Sequence, residues 1–119
     1  MSNFTPFNQR GVDTEEKTMA LLAHLLGFFS SILAPLLIYL LQKDKSKFVA
    51  FHSMQAILFE VFFWAIYIVL FTTIVGILLI PFAAIAHLIF GIIAIVRSAQ
   101  GDWYEIPVIG KLARNIVGC

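Results

Sequence analysis

Charge and cysteine are both scarce in this 119-residue chain, and each shortage removes a class of protein. Asp, Glu, Lys and Arg make up 13% of the residues, where soluble domains carry about a quarter. With 61% hydrophobic residues and a mean hydropathy of +0.93, the composition is that of a membrane protein. A formal net charge of +1 offers no extended basic surface for a phosphate backbone, which argues against nucleic acid as a partner. The one cysteine, Cys119, can form no intrachain disulfide and no CxxC metal or redox pair. It also lacks the three following residues that prenylation needs.

Catalytic patterns are missing as well. The sequence holds no GxSxG, no HExxH, no glycine-rich phosphate loop and no cysteine beside a plausible base, so no enzyme, metal or cofactor is expected. Ser30, Ser31 and Ser53 read as packing residues in apolar surroundings.

What the chain does have is long apolar runs. Residues 1–12 lack any period and are expected to form a flexible tail, leaving 13–119 as a single membrane domain. Asp13 can cap a helix, with Glu16 completing a capping box. Residues 19–41 are free of charge, and about 20 helical residues cross a hydrocarbon core of roughly 30 Å, so one complete span is expected, bent at Pro35. Its length and the acids before it exclude a cleaved signal, so it is expected to remain as an anchor. Residues 42–47, QKDKSK, form an aqueous loop. The next apolar run, from Phe48 to Val96, would be roughly 70 Å long as one helix and must fold back, with the reversal expected between Phe71 and Pro81. The fold class is therefore all-α integral membrane, with three transmembrane helices near 16–42, 48–73 and 77–100. Beyond Gly101, Trp103 and Tyr104 sit where aromatic belts lie. Ile109, Leu112, Ala113 and Ile116 then form an apolar stripe opposite Lys111 and Arg114, the pattern of a short interfacial helix.

Lys43, Lys45 and Lys47 in the first loop and Arg97, Lys111 and Arg114 near the C-terminus place both regions in the cytoplasm by the positive-inside rule. Three spans then put the N-terminus outside. Lys43, Lys45, Lys47, Arg97, Trp103 and Tyr104 are the expected interfacial anchors.

Polar residues interrupt the spans in a pattern. His24, Gly27, Ser31 and Pro35 share one helical face, as do Ala84, His87, Gly91, Ala94 and Ser98, and small residues on such stripes let helices approach closely in lipid. His52, Gln55 and Glu60 enter the middle span. An ionisable group at mid-span is costly and demands a partner. Glu60 lies 13 residues from Lys47 and His87 lies 10 from Arg97, so similar depths predict that they pair. His24 is expected toward the outer leaflet, His52 near the inner surface and His87 between them, so the three cannot share one metal.

The segments 19–25 (MALLAHL), Ala34-Pro35-Leu36 leading to Gln42-Lys43-Asp44, and Phe48-Val49 with His52 and Gln55-Ala56 resemble a bacterial and archaeal family of small membrane proteins of unknown function. That family is similar to the Tic-twenty subunit of the chloroplast inner-envelope import translocon. The resemblance covers roughly residues 16–114, including the glycine, aromatic, proline finish at 101–107. It departs at Leu58-Phe59-Glu60, where such proteins carry an Asn-Phe-Gln sequence, so an acid replaces an amide. The resemblance implies a non-enzymatic subunit or scaffold of a membrane assembly, a homo-oligomer or a partner within a complex. The competing expectation is an oligomeric channel or transporter with Glu60 and His87 in a polar path.

Overall fold

The structure is a computed structural model that describes residues 12–119; most of the expected tail lies outside the described residues. Five helices are described: α1 (Thr14–Ser30), α2 (Leu33–Gln42), α3 (Lys47–Phe71), α4 (Ile74–Ala99) and α5 (Ile109–Val117). α1 starts at the capping box. The Asp13 carboxylate accepts from the Glu16 N–H at 2.8 Å, and the Glu16 carboxylate accepts from the Asp13 N–H at 3.2 Å.

The expected first span, 16–42, is not one helix. α1 stops at Ser30, Ser31 takes a positive φ of 61°, and α2 begins two residues later. Pro35 explains the position of the break. Its ring excludes the carbonyl of the residue four places back, Ser31, and it has no N–H to offer, so helix cannot run through this turn unaltered. The chain reverses rather than bends. Pro35 comes to rest in van der Waals reach of Gly27, and Ala23 and Ile38 share one core cluster with Val49 and Ala56. The loop after α2 returns to the start of α1, where the Ser46 hydroxyl donates to Glu16. At the apex, the Ser30 hydroxyl donates to the Leu26 carbonyl at 2.8 Å and accepts from the Ala34 N–H at 3.0 Å, tying the two arms together. α1 and α2 form a re-entrant hairpin that enters and leaves at the same end of the molecule.

Among the described residues, α3 and α4, of 25 and 26 residues, are the two helices long and apolar enough to cross a bilayer. In place of the three expected span-length helices, the described residues hold two and a hairpin. Ser46 caps α3 by accepting from the Val49 N–H at 3.1 Å. The reversal needs only Thr72 and Thr73, the latter capping α4 by accepting from the Gly76 N–H at 2.8 Å. Pro81 lies inside α4, where apolar surroundings leave the backbone few alternatives to helix.

α3 is the hub, with α1, α2, α4 and α5 all packed against it. Residues 48–53 are buried without a gap, so this part of the helix is covered on every side, and burial extends through Gln55, Ala56, Phe59 and Glu60. Beyond Glu60 only Phe63 of α3 is buried. The outline, 51 × 25 × 22 Å, is a collar of helices at one end and a two-helix stalk at the other.

The hairpin brings the start of α1 and the 43–46 loop to the same end of the molecule rather than to opposite ends, and the C-terminal segment joins them where the Lys47 ammonium donates to the Val117 carbonyl at 2.8 Å. The small-residue stripe changes too. The break moves Pro35 onto the second arm, facing Gly27 rather than extending its row, and Ala84 is exposed. Gly91, Ala94 and Ser98 are buried. Gly91 lets Phe28 of α1 close in: a Cβ built there would lie 1.9 Å from the ring. Gly91→Ala is therefore expected to cost about 1–3 kcal/mol by overpacking, and Phe28→Leu in the same chain to restore part of it. Thermal melting in detergent checks this, and an unaltered melt for Gly91→Ala would contradict the close approach.

Candidate functional site

Two polar clusters sit on α3, the lower one buried and the upper one half-buried. The lower one joins three parts of the chain at His52, which has no exposed surface. Its Nε2 lies 2.9 Å from the Asp102 carbonyl oxygen, which can only accept, so Nε2 carries the proton. Nδ1 is then the acceptor, and His24 Nε2–H donates to it at 3.1 Å. One turn on, Gln55 is equally buried: its Oε1 accepts from the Ile106 N–H at 2.7 Å and its Nε2 donates to the Tyr104 carbonyl at 3.2 Å. Residues 102, 104 and 106 thus turn backbone groups toward α3 with the two-residue period of extended chain.

Aromatic rings close this cluster. Phe48 and Phe51 meet the His52 ring edge-on at 4.6 and 5.0 Å, and Trp103 packs on Phe48 at 5.2 Å. The Arg114 guanidinium stands 5.0 Å from the centre of the Phe51 ring and pairs with Glu105 at 2.6 Å. α5 therefore lies along α3, from the level of Gln55 to that of Lys47, rather than flat at the surface. Ile109, Gly110 and Ala113 are its buried side, whereas Leu112 and Ile116 of the expected stripe are half-exposed.

The upper cluster is a chain of three. His87 Nε2 lies 3.2 Å from the Glu60 carboxylate, and the Tyr67 hydroxyl lies 3.1 Å from His87 Nδ1. Phe63 stacks on the imidazole at 4.5 Å with the planes 6° apart. Both ring nitrogens are engaged, and Glu60 is 5% exposed.

The expected site residues are distributed accordingly. Glu60 meets His87, and His52 and Gln55 face the C-terminal segment. His24 is a correction: it sits beside His52 instead of near the other surface, because α1 runs up beside α3 and stops short of a full span. Trp103 is a second, since it packs inward on Phe48 and Phe51 rather than standing in an outward belt. Arg97 pairs with Asp102 at 2.6 Å and stands 5.4 Å over the Tyr104 ring. Lys43 and Lys45 are exposed. Among the described residues no group of three or more His, Cys, Asp or Glu could hold a metal ion.

Sequence reasoning did not find Tyr67, although it lies seven residues after Glu60 and so on the same helical face. It also missed the backbone acceptors at 102 and 104, which leave no trace in side-chain identity. Gly110, a weak helix former, lies in the first turn of α5. A Cβ there would lie 2.4 Å from Glu105 Cβ and 2.8 Å from Gln55 Oε1, so glycine is what lets α5 close over Gln55.

A family profile described as the magnetosome magnetite crystal formation protein family matches residues 15–113, a stretch that contains both polar clusters. The chain belongs to this family. Similar proteins are a UPF0132 membrane protein of Archaeoglobus fulgidus, 32% identical over 105 residues, covering 87% of this chain and 97% of the relative. A second is the UPF0132 membrane protein MJ1443 of Methanocaldococcus jannaschii, 31% identical over 101 residues, covering 85% of this chain and 87% of the relative. No solved structure matches. The prokaryotic membrane family is thus established, whereas the likeness to the chloroplast import subunit finds no support in these relatives.

Proposed function

We propose that this membrane protein is a non-enzymatic structural subunit of a membrane assembly, with its collar end in the cytoplasm. The observation that carries the reading is the inward direction of the polar groups. His24, His52, Gln55 and Glu60 are each at most 5% exposed and are hydrogen-bonded within the chain, so the outer surface along the spans is left to apolar residues. Buried polar groups of this kind fix the register of helices. The family description names magnetite crystal formation, and in this reading the chain serves such an assembly as a membrane component.

Orientation follows from charge. Lys43, Lys45, Lys47, Arg97, Lys111 and Arg114 all belong to the collar end, and the turn at Thr72 and Thr73 carries no charge, which supports a cytoplasmic collar. The channel alternative needs Glu60 and His87 on a face that several copies share, and their pairing with each other within one copy counts against it. Crosslinking in membranes followed by affinity isolation tests the proposal. The expected result is recovery of other proteins in fixed ratio. A pure homo-oligomer that conducts ions in liposomes, and loses conductance with Glu60→Ala, would overturn it.

A further inference from the structure

The two ends of the molecule differ in girth, and both are apolar on the outside. Gly27 of the hairpin faces Glu60, which lies 13 residues into α3, so the collar reaches roughly 20 Å from Lys47. α3 continues for 11 more residues, roughly 16 Å, with α4 as its one neighbour among the described residues. On this stalk Trp64, Ile68 and Phe71 of α3 and Ile74, Leu78 and Phe82 of α4 are between 55% and 81% exposed.

The collar is not an aqueous domain standing on that stalk. The outward side of α2 carries Leu33, Leu37, Leu40 and Leu41, each between 52% and 66% exposed, so the hairpin also faces hydrocarbon. Among the described residues, charge that reaches the surface marks the rim beyond it, at residues 13–17, 43–47 and 97–114, whereas Glu60 is buried. One leaflet therefore accommodates α1, α2, α3 and α4, with α5 in the charged rim, and among the described residues the other leaflet accommodates only α3 and α4. At a helix diameter of about 10 Å, these are cross-sections of roughly 310 and 160 Å².

We infer that the protein is a wedge whose preferred partner is a curved lipid bilayer, with the collar in the convex leaflet. Lipids around the narrow stalk must spread or tilt to fill the space above the hairpin in a flat bilayer, and curvature toward the stalk side closes that space. The charged rim holds the wide end at the headgroups and prevents the wedge from sinking to a symmetric depth. This inference rests on shape and membrane insertion alone, and stands whether or not other proteins join the assembly.

The test uses the full chain labelled with a fluorophore at its native Cys119 and reconstituted into phosphatidylcholine and phosphatidylglycerol vesicles of a wide range of diameters. Protein density is read vesicle by vesicle, and trypsin added outside, which cuts at the exposed Lys43 and Lys45, reports which molecules have the collar outward. Collar-outward molecules are expected at several-fold higher density in the smallest vesicles than in the largest, and collar-inward molecules should show the reverse. Density independent of diameter for both orientations, or enrichment of collar-inward molecules in the smallest vesicles, would overturn the inference.

Discussion

His52→Ala is expected to lower the stability of the protein by about 3–5 kcal/mol, the range for truncating a large buried side chain and orphaning its partners. The imidazole joins the hairpin through His24, the central helix by covalent attachment and the C-terminal segment through the Asp102 carbonyl. Its loss leaves a donor and an acceptor buried and unpaired, and opens a cavity between Phe48 and Phe51. Gln55→Ala acts on the same segment by stranding the Ile106 N–H and the Tyr104 carbonyl, at about 1–3 kcal/mol each. Because both residues hold residues 102–106, the double variant should lose less than the sum. Unfolding in mixed detergent micelles measures the stabilities, and early proteolysis after Arg97 reports release of the segment. Wild-type stability in His52→Ala would contradict the role given to this junction.

The second large effect concerns Glu60 and His87. Removing one partner of a buried pair leaves the other uncompensated, so Glu60→Ala and His87→Ala are each expected to cost about 3–5 kcal/mol. The double variant should again fall short of the sum, because the second substitution removes the group that the first left stranded. Glu60→Gln is the informative comparison. Its amide oxygen can still accept from the imidazole N–H, so a loss below about 1 kcal/mol is expected. A full loss with Gln would mean that the charge itself, and not the hydrogen bond, holds α3 to α4. Equal and additive effects in the alanine variants would mean that the two side chains act independently.

Several parts of this arrangement were legible in the sequence because they depend on local chemistry or on counting. The Asp13 and Glu16 capping box needs only two residues at the right spacing. The depth of Glu60 and His87 followed from distances along two helices to the charged rim, and the same count places them together in the structure. The reversal at Ser31 was not legible, because a run of apolar residues has the same composition whether it crosses a bilayer or turns back within it. Pro35 marked the place, but the outcome depended on Ser30, whose hydroxyl bridges the arms and serves as more than a packing residue. The depth assigned to His24 failed with it, since a full span would carry that side chain to the far leaflet. The C-terminal segment was hidden for another reason: His52 and Gln55 recognise its backbone, and a backbone carbonyl looks alike at every residue.

The re-entrant hairpin is the feature on which the rest depends, and sidedness tests it directly. In a Cys119→Ser background, Glu15→Cys, Lys45→Cys and Thr72→Cys are made singly and exposed to a membrane-impermeant maleimide in intact cells and again after permeabilisation. The hairpin predicts that positions 15 and 45 behave alike and opposite to position 72; with the proposed cytoplasmic collar, 15 and 45 are labelled only after permeabilisation and 72 from outside. Labelling of position 15 from outside with position 45 protected would mean that residues 14–42 cross the membrane, and would contradict the hairpin.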